Sequence, residues 1–294
     1  MMQHKSLHFG IKTAPTHATH EALLQVWQAA DVLPIFEHAW LNDHLMSLGD
    51  HPTDPCLESW TLLAALAAHT QRLRVGVMVT DNTYRHPAIL AKMAATIDII
   101  AHGRLNFGIG TGWSEQEHRA YGITLPPPGE RVRRLDEACE LTRQLWTQPV
   151  VNFTGRYYQL HEAYCEPRPI QRPHPPFVIG AEGEQTLRVV ARHADIWDCS
   201  VNTPEEYRHK SSVLDDACAT IGRDPATIER SRHISVDPSD LHAAYEETRT
   251  FIDAGATHII YHVPVPDPQG ILHRLAKEVA EPLRAEYDKA GNQA

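Results

Sequence analysis

Short apolar runs alternate along the chain with longer stretches whose apolar residues recur every three or four positions. The short runs predict strands at "LHFGIK" (7–12), "EHAWLN" (37–42), "RVGVMVT" (74–80), "RLNFGIG" (104–110), "PFVIGA" (176–181), "ADIWDCSV" (194–201), "RSRHISV" (230–236) and "THIIYHV" (257–263). The longer stretches predict helices over 20–31, 58–69, 88–101, 131–147, 184–193, 204–221, 239–254 and 270–289. Strands that alternate with helices imply βα units and a parallel sheet. Eight such units in 294 residues fit a (β/α)8 TIM barrel. The rival, a doubly wound sheet, wants a glycine-rich turn after its first strand. Here that strand runs into "TAPTHATHE" (13–21), which contains no glycine.

The fourth and fifth strands stand about 65 residues apart. The segment "NFTGRYYQLHEAYCEPRPIQRPHPP" (152–176), rich in proline and aromatics, lies in that gap and reads as a folded excursion inserted into the barrel. No internal repeat, low-complexity tract or linker divides the sequence, so residues 1–294 read as a single domain.

Composition narrows the function classes. Hydrophobic residues make up 42%, an ordinary globular share, and no run of about 18 apolar residues predicts a membrane span. The start, "MMQHKSLHFGIK", lacks the apolar stretch of a secretory signal, so a cytoplasmic home is the default expectation. A net charge of −10 argues against nucleic acid as the main partner. The five cysteines form no C-x-x-C pair, which disfavours a disulfide framework or a zinc site. The twenty histidines are dispersed without metal-ligand spacing and read as surface or core-edge residues.

In such a barrel the chemistry sits where the strands end. Strand 2 ends in Asp43 and His44. An imidazole exchanges protons near neutral pH and a carboxylate can fix its tautomer, while a helix cap beside an exposed histidine is the plainer reading. Strand 3 ends in "VTDNTYRHP" (79–87), where Thr80, Asp81, Asn82 and Thr83 offer hydroxyls and amides, or simply form a βα turn. Strand 4 runs into "GIGTGWSEQEHRAYGI" (108–123). Its glycines, at 108, 110 and 112, miss the dinucleotide spacing, since Trp113 stands where the third would fall, and no G-K-[ST] follows. "SEQE" (114–117) has the form of a capping box, which gives Glu117 a structural reading. After strand 5, Gly180 and Gly183 precede a helix whose free N–H groups either hold a phosphate or hold nothing.

These residues resemble a family. "WLNDHL", "LRVGVMVTDNTYRHPAILAKMAATID", "GRLNFGIGTGWSEQEHRAYGI", "GERVRRLDEACELTRQLW", "VNFTGRYYQL", "PPFVIGAEGEQTLRVVARHADIW" and the final strands are similar, in the same order, to the bacterial-luciferase-like flavin and deazaflavin oxidoreductases. The match covers most of residues 7–265 and resembles most closely the branch that uses coenzyme F420. The resemblance implies a deazaflavin ring at the C-terminal mouth of the barrel. Asp43 would bind polar atoms of the ring, and His44 would sit beside its hydride-carrying carbon as proton donor or acceptor. A non-proline cis peptide at about Met78–Val79 would back the ring, and Thr80 and Asp81 would follow its edge. Gly112, Trp113 and Gln116 would flank the ring and its polyol chain. Gly180, Ala181, Glu182 and Gly183 would reach the phosphate by backbone, although Ala181 stands where relatives often carry a second glycine.

The function implied is hydride transfer between F420 and a small electrophilic substrate, an imine, an enone or an electron-poor ring. An FMN-dependent monooxygenase of the same superfamily is the alternative, and a flavin-binding barrel without turnover is a third. "ADIWDCSVNT" (194–203) contains no lysine for a sugar phosphate, which disfavours that substrate class. Trp113, Tyr157, Tyr158 and Tyr164, from segments 113–130 and 152–175, either roof the pocket or pack the excursion. Family habit implies a homodimer.

Overall fold

Strand β1 (His8–Thr13) sets the pattern for the whole barrel. Phe9 and Ile11 turn outward into the apolar layer beneath the helices, whereas Gly10 packs on His38 inside the barrel and Lys12 lines the cavity at its mouth. The computed structural model describes residues 6–48, 51–267 and 270–291. Residues 1–5, on which the reading of the N-terminus partly rests, lie outside the described residues.

The chain continues through α1 (His20–Asp31), β2 (Phe36–Leu41), α2 (Ser59–Ala68), β3 (Arg74–Val77), β4 (Thr80–Asp81), α3 (Pro87–Ile100), β5 (Leu105–Gly110), α4 (Glu115–Tyr121) and α5 (Pro128–Thr147). The hairpin β6 (Val151–Thr154) and β7 (Gln159–Ala163) leads to β8 (Phe177–Gly180), α6 (Glu184–His193), β9 (Ile196–Cys199), α7 (Pro204–Thr220), β10 (Glu229–Ser235), α8 (Leu241–Asp253) and β11 (His258–His262). Helices α9 (Ile271–Leu275) and α10 (Glu281–Gly291), joined by a π turn at Ala276–Ala280, close the described chain.

The parallel strands run β3-β2-β1-β11-β10-β9-β8-β5-β4, and β3 also pairs with β5, so the sheet closes on itself. Strands β3 and β4 share one position in the ring, because the ladder breaks at Met78–Val79, whose peptide bond is cis. The result is an eight-stranded (β/α)8 barrel, in which the strand expected over 74–80 is split in two. Helix α5 starts at Pro128, three residues before the expected 131, with its proline in the first turn where no N–H is needed.

Helix α1 shows how the outer layer forms. Thr19 caps it by accepting the Ala22 amide, and Leu23, Val26, Trp27 and Ala30 fall on one buried face. The Trp27 indole N–H finds Thr13 Oγ1 at 3.0 Å, so a large buried aromatic leaves no orphaned donor.

Inside the barrel a separate small apolar cluster, Trp40, Met78, Val178, Ile196 and Ile260, plugs the middle. Gly76 makes room for it, since a Cβ there would lie 2.5 Å from the Trp40 ring. Below the plug, His38 and His258 stack with centroids 3.8 Å apart. Trp40 Nε1 donates to His38 Nδ1 at 2.6 Å, and His258 Nδ1 lies 3.1 Å from Glu229. These two histidines correct the expectation of surface or core-edge positions: both are buried. Polar residues at alternate strand positions look solvent-facing in a sequence, but in a barrel they face its inside.

The excursion is tied down. The amides of Arg156, Tyr157 and Tyr158 donate to the Glu137 carboxylate of α5 at 2.8, 2.9 and 3.2 Å. Buried Asp98 accepts the Ile170 and Gln171 amides at 2.7 and 3.1 Å. All five cysteines are free thiols, and four of them are buried. Among the described residues no helix is long and apolar enough to cross a membrane.

Candidate functional site

A cavity of about 800 Å³ opens at the C-terminal ends of the strands. That is the size of a small-molecule or cofactor site, at the end of the barrel where βα loops converge.

Residues 42–44 follow β2 into this cavity. The Asp43 carboxylate is buried and receives both Arg85 Nη atoms, at 2.7 and 3.0 Å, together with the Asp81 amide at 3.0 Å. The same guanidinium reaches Glu58, which caps α2. The oxygens of Asp43 thus tie the ends of β2 and β4 to the start of α2, while the residue still lines the cavity where the resemblance implies a ring. A buried carboxylate is tolerated only when paired in this way. Burial pushes the Asp43 carboxyl above its usual range, with Arg85 opposing.

His44 has a different partner. Its Nδ1 lies 3.0 Å from Oε2 of Glu117 on α4. The Glu117 side chain is fully buried, and it also accepts the Leu45 amide at 2.6 Å and the Tyr84 hydroxyl at 2.7 Å. Burial alone would raise the Glu117 carboxyl, but the bonds from His44, Leu45 and Tyr84 outweigh it and bring the pKa down to about 2. Against an ionised carboxylate His44 Nδ1 is the donor, which frees Nε2 to give or take a proton on the cavity side. Ser114 Oγ does accept the Glu117 amide, at 3.3 Å, as a capping residue should. The Glu117 carboxylate, however, crosses to the end of β2.

The remaining walls come from other strand ends. Thr80 Oγ1 accepts the Trp60 indole N–H at 3.0 Å. The Asp81 carboxylate accepts the Thr83 amide at 2.9 Å. Gly112, at φ +80°, passes so close to Asp81 that any Cβ would strike its carboxylate. Trp113 is exposed and meets His44 edge-on at 6.1 Å. Gly183 begins α6 without a side-chain cap and lines the cavity, so the first turn has N–H groups that no capping side chain takes up. Ala181 is bound within the barrel, its amide to Asp198 O at 3.0 Å and its carbonyl to the Trp197 indole at 2.8 Å.

Asp43, His44, Met78, Val79, Thr80, Asp81, Gly112, Trp113, Gly180, Ala181, Glu182 and Gly183 therefore all line one cavity. Gln116 does not: it is exposed on α4. Neighbouring helical residues point about 100° apart, so the face that buries Glu117 turns Gln116 to solvent. The excursion also stays outside. Tyr158 is buried in the core, Tyr157 lies under Arg134, and Tyr164 is exposed, so of the four expected aromatics only Trp113 reaches the cavity, where Tyr84 joins it.

Sequence reasoning missed the wall that runs from β1 through β11 and β10 to β9. Lys12 of β1, Asp198 of β9, His233 of β10 and His262 of β11 meet there. Asp198 accepts from Ser231 Oγ and His233 Nε2, both at 2.9 Å, and His233 Nδ1 lies 3.0 Å from His262 Nε2. Burial raises Asp198, but His233, Lys12 and Ser231 outweigh it and hold the carboxyl well below its usual range. A search for lysines after strands 6 and 7 passes over Lys12, because it is barrel closure that sets Lys12 beside His262.

Residues 7–293 match the family model described as luciferase-like monooxygenase. An uncharacterized protein of Mycobacterium tuberculosis is 31% identical over 240 residues, 80% of each chain. An F420-dependent glucose-6-phosphate dehydrogenase of Microbacterium testaceum is 31% identical over 283 residues, 93% of this chain and 80% of its own. An F420-dependent secondary alcohol dehydrogenase, solved with an F420-acetone adduct, superposes with a TM-score of 0.83 at 18% identity, covering 93% of this chain and 98% of its own.

Proposed function

The chain belongs to the luciferase-like monooxygenase family, and from that premise we propose that it is a coenzyme F420-dependent oxidoreductase acting on a small electrophilic organic substrate. The observation that carries the reading is the His44–Glu117 pair at 3.0 Å beside the cavity. It supplies a proton-handling imidazole, oriented by a buried carboxylate, where the family places a ring. Relatives named for F420 use support the choice of cofactor.

The residues present fit such a group. Gly112 packs its backbone against Asp81 with no side chain between them, and the uncapped start of α6 offers N–H groups to a phosphate. Met78 and Val79 would support the ring from below, and Thr80 and Asp81 would border it. Gly112 and Trp113 would flank it, with Glu182 and Gly183 at the phosphate. When bound, F420 supplies a two-electron hydride carrier at its ring C5. The chain's own part is to orient the substrate and move one proton. His44 Nε2 would give a proton to the substrate atom that takes up the electron pair when the neighbouring carbon receives hydride, or take one in the opposite direction. Glu117 stabilises the charged imidazole and fixes its tautomer, and Tyr84 and the Leu45 amide keep Glu117 ionised. Asp43 positions: through Arg85 and the Asp81 amide it holds β2, α2 and β4 in register at the mouth. Substrates of this class are imines, enones and electron-poor rings.

Separate titrations of the purified protein with F420 and with FMN test the reading. Saturable F420 binding is expected, and His44→Ala should keep it while losing most hydride transfer. Binding of FMN alone would favour a monooxygenase, and binding of neither would overturn the proposal.

A further inference from the structure

Two cationic side chains line the cavity among the described residues, Lys12 and Arg232. Arg232 is already used, with Glu247 at 3.5 Å and the Phe251 ring beneath its guanidinium at 4.1 Å. Lys12 is different. It is partly buried on β1, opposite His262 in the ladder, and its ammonium makes no hydrogen bond or salt bridge to any described residue, although the Asp198 charge favours it at longer range. The groups around it are committed elsewhere: Asp198 to Ser231 and His233, and His233 to His262. An ammonium has three donors, and a partly desolvated one without an acceptor is costly unless a ligand supplies the acceptor.

We propose that this wall is a carboxylate site: Lys12 binds the ionised carboxylate of a small monoanionic organic acid, with Ser235 on the same wall as a second donor. The charge balance selects a monoanion. Five acids line the same cavity, Asp43 paired with Arg85 and Glu247 with Arg232, and beside Asp81, Glu182 and Asp198 one ammonium tolerates a single negative charge better than a phosphate dianion. Burial lowers both His233 and His262, with Lys12 contributing, and His262 falls to about 3. Lys12 is itself pushed down by burial to about 8, with Asp198 opposing, so an arriving carboxylate restores its full protonation. This site rests on the cofactor reading only in that its ligand is the substrate. Lys12 stands on β1, the neighbour of β2 in the ring, and the wall runs on from it through β11, β10 and β9.

The test is calorimetric titration of the full chain, with and without F420, using monocarboxylates from propionate to naphthoate and the primary amide of each. Inorganic phosphate is the dianionic comparison. At least one acid is expected to bind about 10-fold or more tightly than its amide. Lys12→Met should abolish that preference and leave amide binding nearly unchanged, while Lys12→Arg should restore part of it. Acid binding at a pH of about 8.5 should take up protons, read as a heat that depends on the buffer. Circular dichroism reports whether each variant folds, and the arginine variant keeps the test decisive should the methionine variant not. The proposal is overturned if no acid outbinds its amide, if both lose affinity alike in Lys12→Met, if phosphate binds more tightly than every carboxylate, or if F420 displaces the acid. Failure of F420 to bind would sink the cofactor reading and leave the acid–amide comparison intact on the cofactor-free protein.

Discussion

His44 Nδ1 and the Glu117 carboxylate lie 3.0 Å apart although 73 residues separate them in sequence. Barrel closure, not local chain geometry, makes this pair. The carboxylate is fully buried while the imidazole is partly open, so charge is fixed on the protein side and proton exchange is directed to the cavity.

Glu117→Gln keeps the shape and removes the charge. Turnover with F420 should fall on the order of 10- to 100-fold, the usual reach of an oriented acid or base, with cofactor affinity little changed. Steady-state kinetics beside a binding titration check this, and an undiminished kcat would exclude the orienting role.

The same carboxyl links stability to acid. It ionises at about 2 in the folded protein against an ordinary value of 4.5. Its stabilisation is therefore complete above pH 4.5 and lost as the pH falls from there toward 2, amounting to at most about 3 kcal/mol. Urea unfolding followed across that window should show a shallower fall for Glu117→Gln than for the parent. Parallel curves would contradict the assignment.

Arg85 ties Asp43 to Glu58. Arg85→Ala strands a buried carboxylate and should cost about 3–5 kcal/mol. Arg85→Lys should recover only part, because a point charge cannot span both acids. Chemical denaturation measures both variants, and a loss under about 1 kcal/mol in the alanine variant would refute the bridging role.

Two glycines with positive φ separate strain from function. Gly112, at +80°, abuts Asp81, while a Cβ added to Gly122, at +68°, would meet nothing within 4 Å. Alanine at either should cost roughly 1 kcal/mol in backbone strain. Only Gly112→Ala should also weaken F420 binding. Thermal melts paired with cofactor titrations decide it, and equal binding by both variants would remove Gly112 from the site.

Most of the barrel was legible because its outward strand positions are apolar and its helices carry clear amphipathic spacing. The break at Met78–Val79 left no mark in the apolar pattern of 74–80. The site was legible where chemistry collects at one strand end, as at Asp43 and His44. It was illegible where partners come from distant elements. Glu117 satisfied a local capping pattern that hid its long-range role, and Arg85 sat in a segment that reads as an ordinary turn. Lys12 looked like the polar half of an alternating strand, and only closure of the ring turns that half toward the cavity.

The apolar plug of Trp40, Met78, Val178, Ile196 and Ile260 divides two polar groups inside the barrel. Below it, the charges felt by His38 come from His258, His8 and Arg74. Above it, those felt by His262 come from Lys12, His233, Asp198 and Arg232. Each histidine's named charged neighbours thus lie at its own end of the barrel, and the plug keeps the two groups out of hydrogen-bond reach of one another.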